Sequence, residues 1–141
     1  MNQIKQKIKN WSEDLSLLDS TSRLEYLVDL AKQGTTMNPE KRIDERLVPG
    51  CISKIWVDVQ INNNQVMVEY DSDAMITKGI TRIVCDCISN STVDDCKEIS
   101  PDDFTELGFQ QLLSAQRRNG LGNLINIILT RFNTLVSNQN S

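Results

Sequence analysis

The chain has 141 residues, 39% of them hydrophobic and 24% charged, the balance of a soluble globular protein with a single core. Its net charge of −4 comes from 15 basic and 19 acidic residues without a concentrated run of Lys and Arg, which argues against sequence-independent binding to nucleic-acid phosphates. No stretch approaches 18 consecutive apolar residues, so no membrane-spanning helix is expected.

Ile4, Ile8, Trp11 and Leu15 recur at helical spacing and predict a first amphipathic helix, with Lys5, Lys7 and Lys9 on its solvated side. Ser22 and Glu25 have capping-box spacing ahead of Leu24, Leu27, Val28 and Ala31, which predicts a second helix from about Thr21 to Lys32, ended by Gly34. Thr35 to Gly50 reads as a long polar connection containing Pro39 and Pro49. The period then changes to two: Ile55, Val57, Val59 and Ile61 alternate with polar residues, Asn62, Asn63 and Asn64 interrupt, and Val66, Val68 and Tyr70 resume. This is a β-hairpin, and Trp56, opposite in phase to its neighbours, suggests that both faces are covered near its start.

Asp71 or Ser72 is expected to cap the next helix, whose Ile76, Ile80, Ile83, Val84, Cys87 and Ile88 form a core stripe. Thr92 to Cys96 predicts a short helix, and Pro101 opens a turn toward Leu107 that Gly108 closes. Leu121, Leu124, Ile125, Ile128, Phe132, Leu135 and Val136 define the longest helix, followed by a polar tail, 137–141, expected to fray. The whole, residues 1–141, reads as one α+β domain with an N-terminal helical region at 1–20. Its first residues lack the apolar segment of a secretory signal, so a cytoplasmic location with free thiols is expected.

Histidine is absent, which removes the commonest general base, the Cys-His and Ser-His dyads and mixed Cys/His zinc sites. Cys85 and Cys87 on one helix point about 200° apart and make neither a redox pair nor a chelate. Cys87 lies on the core stripe, and Cys85 and Cys96 have no motif around them. Cys51 differs: Pro49-Gly50 precedes it and a strand follows, a setting that presents a side chain at the tip of a rigid sheet. A thiolate there needs access and nearby cations rather than a separate base, and Lys54, Arg117 and Arg118 are candidates for that field.

Three blocks carry a family resemblance: Val48-Pro49-Gly50-Cys51-Ile52-Ser53-Lys54-Ile55-Trp56, Asp71-Ser72-Asp73-Ala74-Met75-Ile76-Thr77-Lys78-Gly79-Ile80, and Leu113-Ser114-Ala115-Gln116-Arg117-Arg118-Asn119-Gly120-Leu121. In order and spacing they resemble the SufE family of cysteine desulfuration proteins over about Arg23 to Phe132. The resemblance implies a SufE/IscU-like fold, a small antiparallel sheet flanked by helices. It implies that Cys51 accepts persulfide sulfur from a cysteine desulfurase, SufS-like or CsdA-like, stimulates that enzyme, and passes sulfur to an iron-sulfur scaffold complex of SufBCD type. Pyridoxal phosphate would sit on the desulfurase, leaving no cofactor and no metal on this chain. Gly50, Ser53, Asp73, Lys78, Arg117 and Gly120 match the family's blocks and become candidates for the persulfide loop or partner contact. Ile52 stands where Gln is frequent, and Ala115-Gln116 replaces Pro-Ser.

Other roles stay open for several of these. Asp71, Ser72 and Asp73 can serve the following helix, Gly79 can allow close backbone packing, and Arg117 can anchor a loop. Two rival functions remain: an IscU-like cluster scaffold, which needs converging cysteines, and a module that regulates a desulfurase without taking sulfur.

Overall fold

The computed structural model describes residues 2–34, 37–50 and 53–139, with side chains throughout except at 115–117. The first helix, α1 (Gln3–Ser16), begins where the Asn2 side chain accepts hydrogen bonds from the amides of Ile4 and Lys5. Ile4, Ile8 and Leu15 are buried, and Trp11 leans on Tyr26 of the next helix with ring centroids 6.4 Å apart. Lys7 turns inward at its tip: its ammonium donates to the carbonyls of Asp86 and Ser89, which lie beyond the reach of intrahelical partners at the end of a later helix.

The second helix, α2 (Ser20–Gln33), starts earlier than its capping-box spacing predicts, because Asp19 accepts from the Ser22 amide and takes the cap that Ser22 was expected to supply. That hydrogen bond also holds the Asp19 carboxyl below its ordinary value. Gly34 does end the helix, but with ordinary extended backbone. What glycine provides there is room, since a Cβ would sit 3.0 Å from the Tyr70 hydroxyl. The connection to the sheet holds two 3-10 turns, Pro39–Lys41 and Asp44–Arg46, the first opened by the Asn38 side chain.

Strands β1 (Ile55–Asn62) and β2 (Gln65–Ser72) pair antiparallel from Ile55 opposite Ser72 to Asn62 opposite Gln65. Asn63 and Asn64 both have positive φ, 52° and 63°, the backbone of a two-residue hairpin turn whose twist matches the strands. A two-residue strand, β3 (Ser91–Thr92), extends the sheet in the order β1-β2-β3. Ile55, Val57, Val59, Val66, Val68 and Tyr70 bury one face. The other face is covered only at the open end, where Asp71 lies buried opposite Trp56 and the Arg42 guanidinium stands 5.6 Å above the Trp56 ring.

Helix α3 (Met75–Ile88) packs on β2, with Ile80, Ile83, Val84, Cys87 and Ile88 in the core. It corrects one expectation. Asp71 and Ser72 end β2 and do not cap α3, whose N-cap is Ala74 without a side-chain cap bond. A short helix, α4 (Val93–Lys97), is capped by Thr92, and Asn2 donates to the Asp95 carbonyl, joining it to α1. The 3-10 segment Pro101–Leu107 carries a Ser100/Asp103 capping box and closes at Gly108, where φ is +74°. The last helix, α5 (Ala115–Gln139), lies along β1 and stays helical past the expected fraying point at 137, to Gln139. No helix among the described residues is long and apolar enough to cross a membrane.

α2 and α3 meet at Gly79. A Cβ there would collide with the Leu27 carbonyl oxygen and lie 2.7 and 2.9 Å from Leu27 C and Cα. These are backbone atoms, so relief requires α2 as a whole to shift. Helix propensity alone favours Ala over Gly by about 1 kcal/mol. We expect overpacking, at about 1–3 kcal/mol, to prevail, so that Gly79→Ala unfolds at lower urea concentration with an unchanged slope. A higher midpoint would show that the two helices can separate at little cost.

Candidate functional site

The open end of the hairpin, opposite the Asn63-Asn64 turn, is where the chain enters β1 and leaves β2. Both stems of the connecting loop are fixed. On the incoming side Leu47 bridges to Trp56, and the Val48 amide donates to the Ile55 carbonyl at 2.8 Å, leaving Val48 buried. Gly50 follows with φ +77°, a conformation that a side chain disfavours, and its Cα faces Asn123 of α5 so closely that a Cβ would collide with the Asn123 amide nitrogen. Cys51, the expected acceptor, and Ile52 lie outside the described residues.

The outgoing side resumes at Ser53, half-buried, and Lys54, exposed. The Lys54 amide donates to Asp73 Oδ1 at 3.0 Å, while its carbonyl accepts from the Ser72 hydroxyl at 2.8 Å and from the Asp73 amide at 3.2 Å. Asp73 therefore extends the hairpin's pairing by one step, through its side chain, and secures the strand that leaves the loop.

Lys78 lies deeper. Its ammonium is 3.2 Å from Asp71 Oδ1, and their side chains are 11% and 3% exposed. The same carboxylate accepts from the Ser72 and Met37 amides and stands 3.9 Å from Arg42. Burial of a carboxylate is costly unless it is paired and hydrogen-bonded, and Asp71 has both kinds of partner. Gly120 is buried within α5. Arg117 belongs to the first turn of that helix, with its side chain outside the described part.

Gly50, Ser53, Asp73 and Lys78, read as candidates from the sequence, are thus gathered at one end of the sheet. Sequence reasoning missed Asn123, Arg42 and Arg131. Arg131 left a signal: it is the only charged residue after Arg118, set in an otherwise uncharged run.

The three described cysteines are free and buried, Cys85 and Cys96 at 1% exposure and Cys87 at 0%. Burial pushes their thiols up, Cys87 and Cys96 to about 12 and Cys85 well above its ordinary value. The attacking species in sulfur chemistry is the thiolate, so none of the three is poised to react near neutral pH. Among the described residues, no three or more His, Cys, Asp or Glu gather closely enough to hold a metal.

Residues 9–132 match the family described as "SufE: Fe-S metabolism associated domain". The chain is 32% identical over 114 residues to SufE-like protein 1, chloroplastic/mitochondrial, of Arabidopsis thaliana, covering 80% of this chain and 31% of that protein. It thus spans about a third of the length of that relative. An uncharacterised SufE-like protein of Rhizobium etli is 31% identical over 119 residues, with 80% of each chain covered. A counterpart in Synechocystis is 28% identical, covering 80% of this chain and 71% of that one. The fold is that of a hypothetical protein from Thermus thermophilus solved in solution, with a TM-score of 0.74 at 15% identity over 93% of this chain and 96% of that one.

Removing Asp71 would leave the Lys78 ammonium buried without its carboxylate. Asp71→Ala is expected to cost about 3 kcal/mol or more, whereas Lys41→Ala, at the exposed Lys41–Glu69 pair, should cost under about 1 kcal/mol. Urea unfolding of the two variants checks this, and equal costs would show that the buried pair has no special role. The raised thiols predict a pH dependence. Unfolded thiols ionise near about pH 8.5, and the folded ones keep their protons to about 12. Their contribution is intact below the unfolded value and is lost as pH rises from there toward 12. Stability should fall more steeply across that window in the parent than in a Cys87→Ala, Cys96→Ala variant.

Proposed function

Since this chain belongs to the SufE family, associated with iron-sulfur metabolism, we propose that it is a sulfur-acceptor protein that takes persulfide sulfur from a pyridoxal-phosphate cysteine desulfurase onto Cys51. The observation that carries this reading is the contrast among its thiols. Cys85, Cys87 and Cys96 are buried and held protonated, while Cys51 follows a left-handed glycine in a loop whose two stems are fastened to the sheet. Loops held by a rigid scaffold are where reactive groups are presented to partners.

The step is a thiol exchange. The Cys51 thiolate attacks the terminal sulfur of the desulfurase's cysteine persulfide, a new S–S bond forms on Cys51, the old one breaks, and the desulfurase cysteine leaves as a thiolate. Nothing is oxidised or reduced overall. Lys54, exposed on the outgoing stem, and Arg117 are the cations proposed to favour the Cys51 thiolate, whereas Arg118 lines a cleft with Pro101, Asp102 and Leu121. Arg117 is a further contact of the loop or of the partner, whereas Gly120, buried within α5, serves the packing of that helix. The pyridoxal phosphate that releases sulfur from cysteine belongs to the desulfurase, of SufS or CsdA type. The persulfide then passes to a SufBCD-like scaffold complex in the cytoplasm.

A purely regulatory module would act through contact alone and would keep its effect without Cys51. Incubation with a desulfurase and free cysteine, followed by mass spectrometry, separates the two. The parent should gain the mass of sulfur on Cys51. Cys51→Ser should fold, gain none, and lose the stimulation of desulfurase turnover, because a serine hydroxyl is barely ionised near neutral pH. A Cys51→Ser protein that still stimulates the enzyme fully would make the regulatory module the better account.

A further inference from the structure

The 3-10 turn Asp44–Arg46 leaves carbonyls without intrahelical partners, and β1 is an edge strand with unpaired carbonyls on its outer side. Arg131, from α5, gathers both sets. Its Nη1 donates to the Arg46 carbonyl at 3.2 Å and to the Val57 carbonyl at 2.8 Å, and its Nη2 donates to Glu45 at 3.1 Å and Leu47 at 3.0 Å. Four backbone carbonyls from two elements thus converge on one planar fork. The nearby acidic group, Asp58, is paired with Arg46 at 3.6 Å.

This clamp stands at the base of the Cys51 loop. Past Leu47 come only Val48, tied to Ile55 and buried, Pro49 with its restricted φ, and Gly50 against Asn123 of the same helix. We propose that Arg131 is a positioning residue for the acceptor cysteine: by fixing carbonyls 45–47 to β1 and α5, it holds in place the incoming stem, Leu47 to Gly50, that leads into Cys51. The proposal rests on the acceptor reading above. Thiol exchange demands near-linear approach of three sulfurs, so a small displacement of the loop base is costly to the rate while leaving the core intact.

Arg131→Gln removes the charge and most of the fork, and Arg131→Lys keeps the charge on a point donor that cannot span four carbonyls. In single-turnover transfer from a persulfide-loaded desulfurase, Arg131→Gln should be slower by about tenfold, with Arg131→Lys between it and the parent. The buried thiols of Cys85, Cys87 and Cys96 serve as internal reporters: in both variants they should remain as protected from iodoacetamide as in the parent. Amide hydrogen exchange at Val48 should quicken in Arg131→Gln, which reads the clamp independently of any sulfur chemistry.

Unchanged transfer in a folded Arg131→Gln protein overturns the proposal. So does slowed transfer accompanied by labelling of the three buried thiols, which would make Arg131 a determinant of the fold as a whole. If Arg131→Gln does not fold, the same two readouts on Arg131→Lys decide, and failure of both to fold also overturns it. Parent protein that gains no sulfur refutes the acceptor reading, whereas unchanged Val48 exchange refutes the clamp.

Discussion

A single buried carboxylate joins the parts of this fold that sequence keeps far apart. Asp71 ends β2, yet its oxygens accept from the Met37 amide, pair with Lys78 in the first turns of α3 and face Arg42 from the connection that precedes β1. Without a partner, a carboxylate in this position would be expelled to water or protonated. With these partners, it obliges the segment around residues 37–42 to lie across the open end of the hairpin, and Arg42 then covers Trp56. The covered outer face at that end follows from this arrangement.

Much of the fold is visible in the sequence because its periodic signals are strong. The alternation from Ile55 to Tyr70 with asparagines between its halves specifies the hairpin, and the 3.6-residue stripes of Ile4 to Leu15 and Ile76 to Ile88 specify helices and the faces they bury. The errors lie at element ends, where neighbouring polar residues compete. Asp19 takes the cap expected of Ser22: its carboxylate accepts from the Ser22 amide, which places Ser22 itself inside the first turn of α2. Asp71 and Ser72 look locally like caps, and Ser72 does accept from the Ala74 amide, but they also bind the distant Met37, Arg42 and Lys54. No local pattern distinguishes an aspartate that caps a helix from one that accepts hydrogen bonds across a sheet.

The candidate site is legible to a different degree. Pro49-Gly50-Cys51 marks its loop by chain chemistry alone, and Gly79 announces a close approach that the Leu27 backbone explains. Asn123 and Arg131 escape sequence reasoning, because each acts on backbone atoms more than seventy positions away in sequence. A side chain that bonds to carbonyls needs no complementary residue type, so pairing of charges cannot reveal it.

The loop that carries Cys51 is therefore short and held at both stems by unlike means. The incoming stem depends on a backbone bridge and a guanidinium from α5; the outgoing stem depends on the Ser72 hydroxyl and the Asp73 carboxylate at the end of β2. Closing a short loop between fixed ends costs little further entropy, which lets glycine occupy its left-handed conformation without loosening the sheet. The core contributes in the opposite sense. By burying Cys85 and Cys87 of α3 and Cys96 of α4, it withholds every described thiol from solvent and holds it protonated, in a chain that has no histidine to serve as a base.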